Sequence, residues 1–166
     1  MIGKPRANKR NVKILLSVTL AVAAVLIVIL LLVPEKEGRS AELPGTLLYP
    51  DGTSSACTVD LQGAVNTYAF KKSAPVYKGT LSLDGETAGD LNLTLSGGYY
   101  TAGKDDAIAA AMTDEMEIVA LIRQDGKDCL VLAPAPDEET AQHLLARFLV
   151  SSSYAREKGW EAFQQK

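Results

Sequence analysis

The spacing of hydrophobic and polar residues changes character three times along the chain. Residues 14–33 are Leu, Val, Ile and Ala, broken only by Ser17 and Thr19, with no polar stripe at helical spacing. About twenty such residues make a helix roughly 30 Å long, which matches the hydrocarbon thickness of a bilayer. The pattern predicts a single transmembrane helix over 14–33, ended by Pro34. Hydroxyls at Ser17 and Thr19 can bond back to the helix backbone, so they are tolerated in lipid.

Residues 34–45 carry alternating charges together with Pro34, Gly38, Pro44 and Gly45, and read as a linker. The period then becomes two. In Cys57-Thr58-Val59-Asp60-Leu61 the odd positions are apolar and the even ones polar, the mark of a strand with one buried face. Tyr68 and Phe70 continue an alternating run. Tyr77, Gly79, Leu81 and Leu83 share one parity, and Leu91, Leu93 and Leu95 alternate with Asn92, Thr94 and Ser96. Asp51-Gly52, Asp84-Gly85 and Gly97-Gly98 supply turns. Residues 117–124 and 127–133 flank Asp125-Gly126 as a hairpin. Residues 105–112 are ambiguous, because the alanines favour helix while their place between strands favours strand; we read them as strand.

A third period begins after Pro134 and Pro136. Asp137 is placed to cap a helix with Glu138 and Glu139 in its first turn. Ala141, Leu144, Leu145, Phe148 and Leu149 then form an apolar stripe. Arg156 and Lys158 suit its C-terminal end, and Gly159 can close it. The expected fold is α+β: residues 46–166 form an antiparallel β-meander with a C-terminal amphipathic helix packed on the buried face of the sheet.

Charge orients this arrangement. Lys4, Arg6, Lys9, Arg10 and Lys13 precede the apolar run, whereas its other flank is slightly acidic. The positive-inside rule therefore puts residues 1–13 in the cytoplasm and residues 46–166 outside. A cleaved signal peptide is the competing reading. Its apolar region would be about 7–15 residues and would end in a small-x-small site, which Val33-Pro34-Glu35-Lys36 does not offer. Removing the five leading cations from the 17 Lys and Arg leaves 12 against 20 Asp and Glu, so the remainder carries about −8. Such a domain lacks the positive footprint that nucleic acid requires.

Candidate chemistry is sparse. Cys57 and Cys129 can form a disulfide or remain two buried thiols, and Leu130 and Val131 leave the facing of Cys129 open. His143 falls between Glu139 and Arg147 on the polar side of the helix, which suits a solvated ion-pair face. Zinc binding by Cys57, Cys129 and His143 lacks a close-spaced ligand pair. The acids at 105–106 and 114–117 lack the spacing that wraps calcium. No cofactor motif is present. Tyr99 and Tyr100 follow a Gly-Gly turn and point to opposite faces of an extended segment, so one of them can meet a partner. The expected function is a membrane-anchored extracytoplasmic interaction or sensing module, touching the bilayer through 14–33 and a protein or cell-envelope component through its outer domain. A small-ligand-binding domain and a hydrolase with dispersed carboxylates are the alternatives.

Overall fold

The structure, a computed structural model, describes residues 9–68, 72–124 and 126–164, with side chains at 14–29 and from 33 onward. Phe70, the end of one expected alternating run, and the basic residues before Lys9 lie outside the described residues. The chain divides near Glu35 into two compact units, one holding a long helix and the other holding the sheet.

The helix of the first unit is α1 (Lys9–Leu32, 24 residues), about 36 Å long at the usual rise. Its large apolar side chains at Ile14, Leu15, Leu16, Val18, Leu20, Val22 and residues 25–29 are 48–70% exposed, and they occupy every face. The Thr19 hydroxyl donates to the Leu15 carbonyl at 2.9 Å, as expected of a hydroxyl on an apolar helix. Among the described residues no helix is long and apolar enough to cross a membrane.

The second unit contains β1 (Glu35–Leu48), β2 (Ser54–Thr67), β3 (Val76–Leu83), β4 (Glu86–Ser96), β5 (Tyr99–Ala102), β6 (Ala109–Met112), β7 (Ile118–Gln124) and β8 (Lys127–Ala133). The strands are hydrogen-bonded in sequence order and β8 returns to β1, so the sheet closes into an antiparallel barrel rather than the open meander expected. Closure rests on the pairs Thr46↔Leu132, Leu47↔Val131 and Leu48↔Leu130. The Ala135 amide extends it by donating to the Pro44 carbonyl at 2.8 Å, and the Thr46 hydroxyl donates to the Ala135 carbonyl at 2.8 Å. Residues 35–45, expected as linker, are therefore strand. Exposed and half-buried positions alternate from Arg39 to Pro44, with Arg39, Ala41 and Leu43 half-buried, and a closed barrel leaves no bare edge to aggregate.

Alternation works as anticipated in β2–β4. Val59, Leu61, Val65, Tyr77, Leu81, Leu83, Leu91 and Leu93 point into the barrel. Asp60, Gln62, Lys78, Asp90, Asn92 and Thr94 fall on the other parity, in register across the three strands. That polar exterior suits water and not a hydrocarbon-facing barrel wall. The two-residue turn at Asp84-Gly85 has φ of 51° and 83°, the left-handed geometry that lets Leu83 pair with Glu86 across a tight hairpin. The lumen is filled by side chains, including Tyr77, Tyr100, Met112 and Ile118, as suits an eight-stranded barrel without a large ligand. The Tyr77 ring closes over a cross-strand glycine pair, Gly63↔Gly79. A Cβ on either glycine would stand 2.7–2.8 Å from the tyrosine oxygen.

β7 and β8 are apolar on both faces, for a reason the sequence pattern does not expose. Ile118, Ala120, Ile122, Cys129, Val131 and Ala133 face the lumen. Val119, Leu130 and Leu132 face outward into a second core, with Leu48 and Ala111 from β1 and β6. That outer core is covered by α2 (Glu138–Ser151), α3 (Ser153–Glu157) and a 3-10 turn (Trp160–Phe163). The helix stripe named above, Ala141, Leu144, Leu145, Phe148 and Leu149, is buried as expected. It packs on the outside of the barrel, which corrects the expectation that it would cover the face now enclosed.

Asp137 caps α2 by accepting from the Thr140 amide at 2.8 Å, and that bond holds its carboxyl below the usual range. The helix stops earlier than anticipated, because Ser152 is extended at φ −111° and ψ 120°. Arg156 in α3 donates from Nη1 to the Leu149 and Val150 carbonyls at 2.6 and 3.0 Å. It thereby satisfies carbonyls that the end of α2 leaves without intrahelical partners. Trp160 is buried in the outer core and Phe163 packs against it, so the 3-10 turn is held on the domain.

Candidate functional site

The hairpin β4–β5 and the junction between α2 and α3 meet on one side of the barrel. Its Gly97-Gly98 turn sets Ser96 opposite Tyr99 and Thr94 opposite Thr101. Tyr100 therefore points inward and is buried in the lumen, where burial raises its pKa. Tyr99 points outward, and its ring packs on Phe148 with centroids 5.2 Å apart and planes tilted by 55°. Of the two tyrosines singled out by sequence, only Tyr99 is in a position to meet a ligand.

The Tyr99 hydroxyl is hydrogen-bonded to the Ser151 hydroxyl. Ser151 in turn donates to the Arg147 carbonyl at 2.6 Å. A serine has one proton to give, so Tyr99 is the donor in the first bond. Its oxygen keeps a free acceptor side. These groups border a cleft of about 420 Å³ whose wall also includes Thr101, Ser153, Arg156 and Glu157. Sequence reading missed the serines, since hydroxyl residues on a helix end and on a hairpin are unremarkable apart. The signal that would have found them is the run Ser151-Ser152-Ser153 at a point where the apolar stripe stops.

Cys57, Cys129 and His143, also named from sequence, do not line this cleft. Cys57 and Cys129 are free thiols; Cys129 faces the lumen and Cys57 packs at its edge. Burial, followed by the nearby Asp84 carboxylate, pushes the Cys57 thiol up to about 11. Burial raises Cys129 as well. A thiolate is the reactive form, so both are inert at neutral pH. At pH 8, alkylation of folded protein is expected to run about a hundredfold slower at Cys57 than in urea, from thiolate fraction alone. Timed iodoacetamide labelling with mass spectrometry measures this; equal rates would refute the half-buried placement of Cys57.

His143 is solvent-exposed, 3.9 Å from Glu139. Arg147 pairs with Glu117 at 2.6 Å, tying α2 to the segment before β7. Asp114 accepts from Arg39 of β1 at 2.5 Å, and the Asp106 carboxylate accepts from the Gly103 amide at 2.5 Å. These acids serve local structure, and among the described residues no group of three or more His, Cys, Asp or Glu side chains is placed to hold a metal. Comparison with family models, with curated proteins and with solved structures finds no match to this chain.

Proposed function

We propose that the protein is a membrane-tethered, non-catalytic recognition module, anchored through residues 14–33, with its N-terminus cytoplasmic and its barrel outside. The observation that carries this reading is α1, whose apolar side chains are exposed on every face. A helix that is hydrophobic all round is stable only when something apolar surrounds it, and a bilayer is the surrounding that the apolar run over residues 14–33 of the sequence fits. The basic cluster before the apolar run and the acidic balance beyond it support the orientation. Thiols that are half-buried at Cys57 and buried at Cys129, an exposed lone histidine and carboxylates already committed to Arg39, Arg147 or backbone support a binding role over a catalytic one. The side-chain-filled lumen favours recognition on the outside of the barrel over a ligand carried within it.

Alkaline carbonate extraction of membranes from cells making the full chain tests the anchor. The protein is expected to stay in the pellet, whereas a variant lacking residues 14–33 is expected in the supernatant. Release of the full chain by carbonate would overturn the reading.

A further inference from the structure

We propose that the cleft between the β4–β5 hairpin and the α2–α3 junction binds a neutral, polyhydroxylated ligand, one or two rings of a glycan. This deepens the recognition reading by naming a ligand class, and the binding itself does not depend on the membrane anchor. Three features point to such a ligand.

The first is the type of polar group. Ser96, Tyr99, Thr101, Ser151 and Ser153 come together from two separate parts of the chain around one cleft. A hydroxyl both donates and accepts, which is the complement of a sugar, whose own hydroxyls do both. A phosphate or carboxylate site would instead be dominated by cations and amides. Here the two charged residues, Arg156 and Glu157, cancel. Two of the five Arg156 N–H groups are already available only to helix carbonyls, since Nη1 holds Leu149 and Val150.

The second is preorganisation. The chain from the Tyr99 hydroxyl through Ser151 to the Arg147 carbonyl fixes the direction of each proton. The tyrosine oxygen is thereby presented as an acceptor oriented before any ligand arrives, so little ordering is left to be done on binding. The Tyr99 ring is itself held by Phe148. The third is size. About 420 Å³ lies in the lower part of the range for small-molecule sites, and the open shape admits the end or side of a longer chain.

Saturation-transfer difference NMR on the full chain in phosphocholine micelles, which carry no sugar headgroup, tests this with chitotriose, maltotriose and cellotriose as probes. At least one is expected to bind with a Kd of about 1 mM or tighter. The double variant Thr101→Val with Ser153→Ala should weaken that binding by at least about tenfold, the loss expected from removing hydrogen-bonding hydroxyls. Lys78→Ala, on the exposed exterior of β3, should leave it unchanged and controls for the fold. Absence of transfer to all three probes would overturn the proposal, as would equal binding by the double variant. Because micelles report nothing about orientation in a cell, either failure would leave the anchor to be judged by carbonate extraction and the topology by protease access in intact cells.

Discussion

Replacing Gly79 with valine is expected to destabilise the barrel by at least about 3 kcal/mol, toward the upper end for single substitutions. A Cβ at this position would stand 2.4 Å from the Gln62 carbonyl oxygen and 2.8 Å from the Gly63 Cα. Both are backbone atoms of the paired strand, so no side-chain rotation relieves the contact. The Tyr77 oxygen, also 2.8 Å away, cannot retreat because its ring is buried in a filled lumen. Gly38→Ala provides the contrast. Nothing lies within 4 Å of a Cβ there, and the change should fall within about 0.5 kcal/mol of the parent. Urea denaturation of both variants checks the pair. A Gly79→Val protein as stable as Gly38→Ala would mean that the Gly63–Tyr77–Gly79 packing is wrong.

Phe148→Ala is expected to cost about 3–5 kcal/mol, the usual range for emptying an aromatic site in a core. Phe148 is fully buried in the outer core and its ring also braces Tyr99. Helix α2 would lose its central contact with β7 and β8, and Tyr99 its fixed orientation beside the cleft. The denaturation midpoint measures the first effect. A loss of less than about 0.5 kcal/mol, the value of an ordinary surface change, would show that the helices are not an integral layer of the domain.

The dependence of the barrel on two cores explains which parts of the fold the sequence reveals. β2, β3 and β4 have one face in the lumen and one in water, so Val59, Leu61, Leu81, Leu91 and Leu93 alternate with polar residues and can be assigned directly. β7 and β8 are covered on both faces, by the lumen and by α2. Their apolar runs carry no parity, which is why the facing of Cys129 could not be read. Closure is harder still. It joins Thr46, Leu47 and Leu48 to Leu132, Val131 and Leu130, and no local pattern marks a pairing between the two ends of a sheet. Pro44 and Gly45 suggested a linker because such residues usually interrupt strands. Here Pro44 needs only its carbonyl, which accepts from Ala135. Gly45 sits where a Cβ would meet the Val59 side chain at 2.5 Å, so close packing excludes a larger residue.

The C-terminal helix was legible because its cap and its stripe are local features, down to Asp137 and Phe148. Its break at Ser152 was not, since Arg156 and Lys158 fit equally well at the end of a longer helix. The candidate site shares that limit. Tyr99 stands out beside a Gly-Gly turn, but the cleft exists only because the break brings Ser151 and Ser153 to the hairpin. Tyr100, equally prominent in sequence, is spent on the lumen.

The central claim is that a tethered barrel faces outward, and protease treatment of intact cells carrying a tag at each end of the full chain tests it most directly. External protease is expected to remove the tag placed after Lys166 and to spare the tag placed before Met1 until the cells are opened. Loss of the N-terminal tag with retention of the C-terminal one would reverse the orientation, and protection of both in a carbonate-soluble protein would contradict the account altogether.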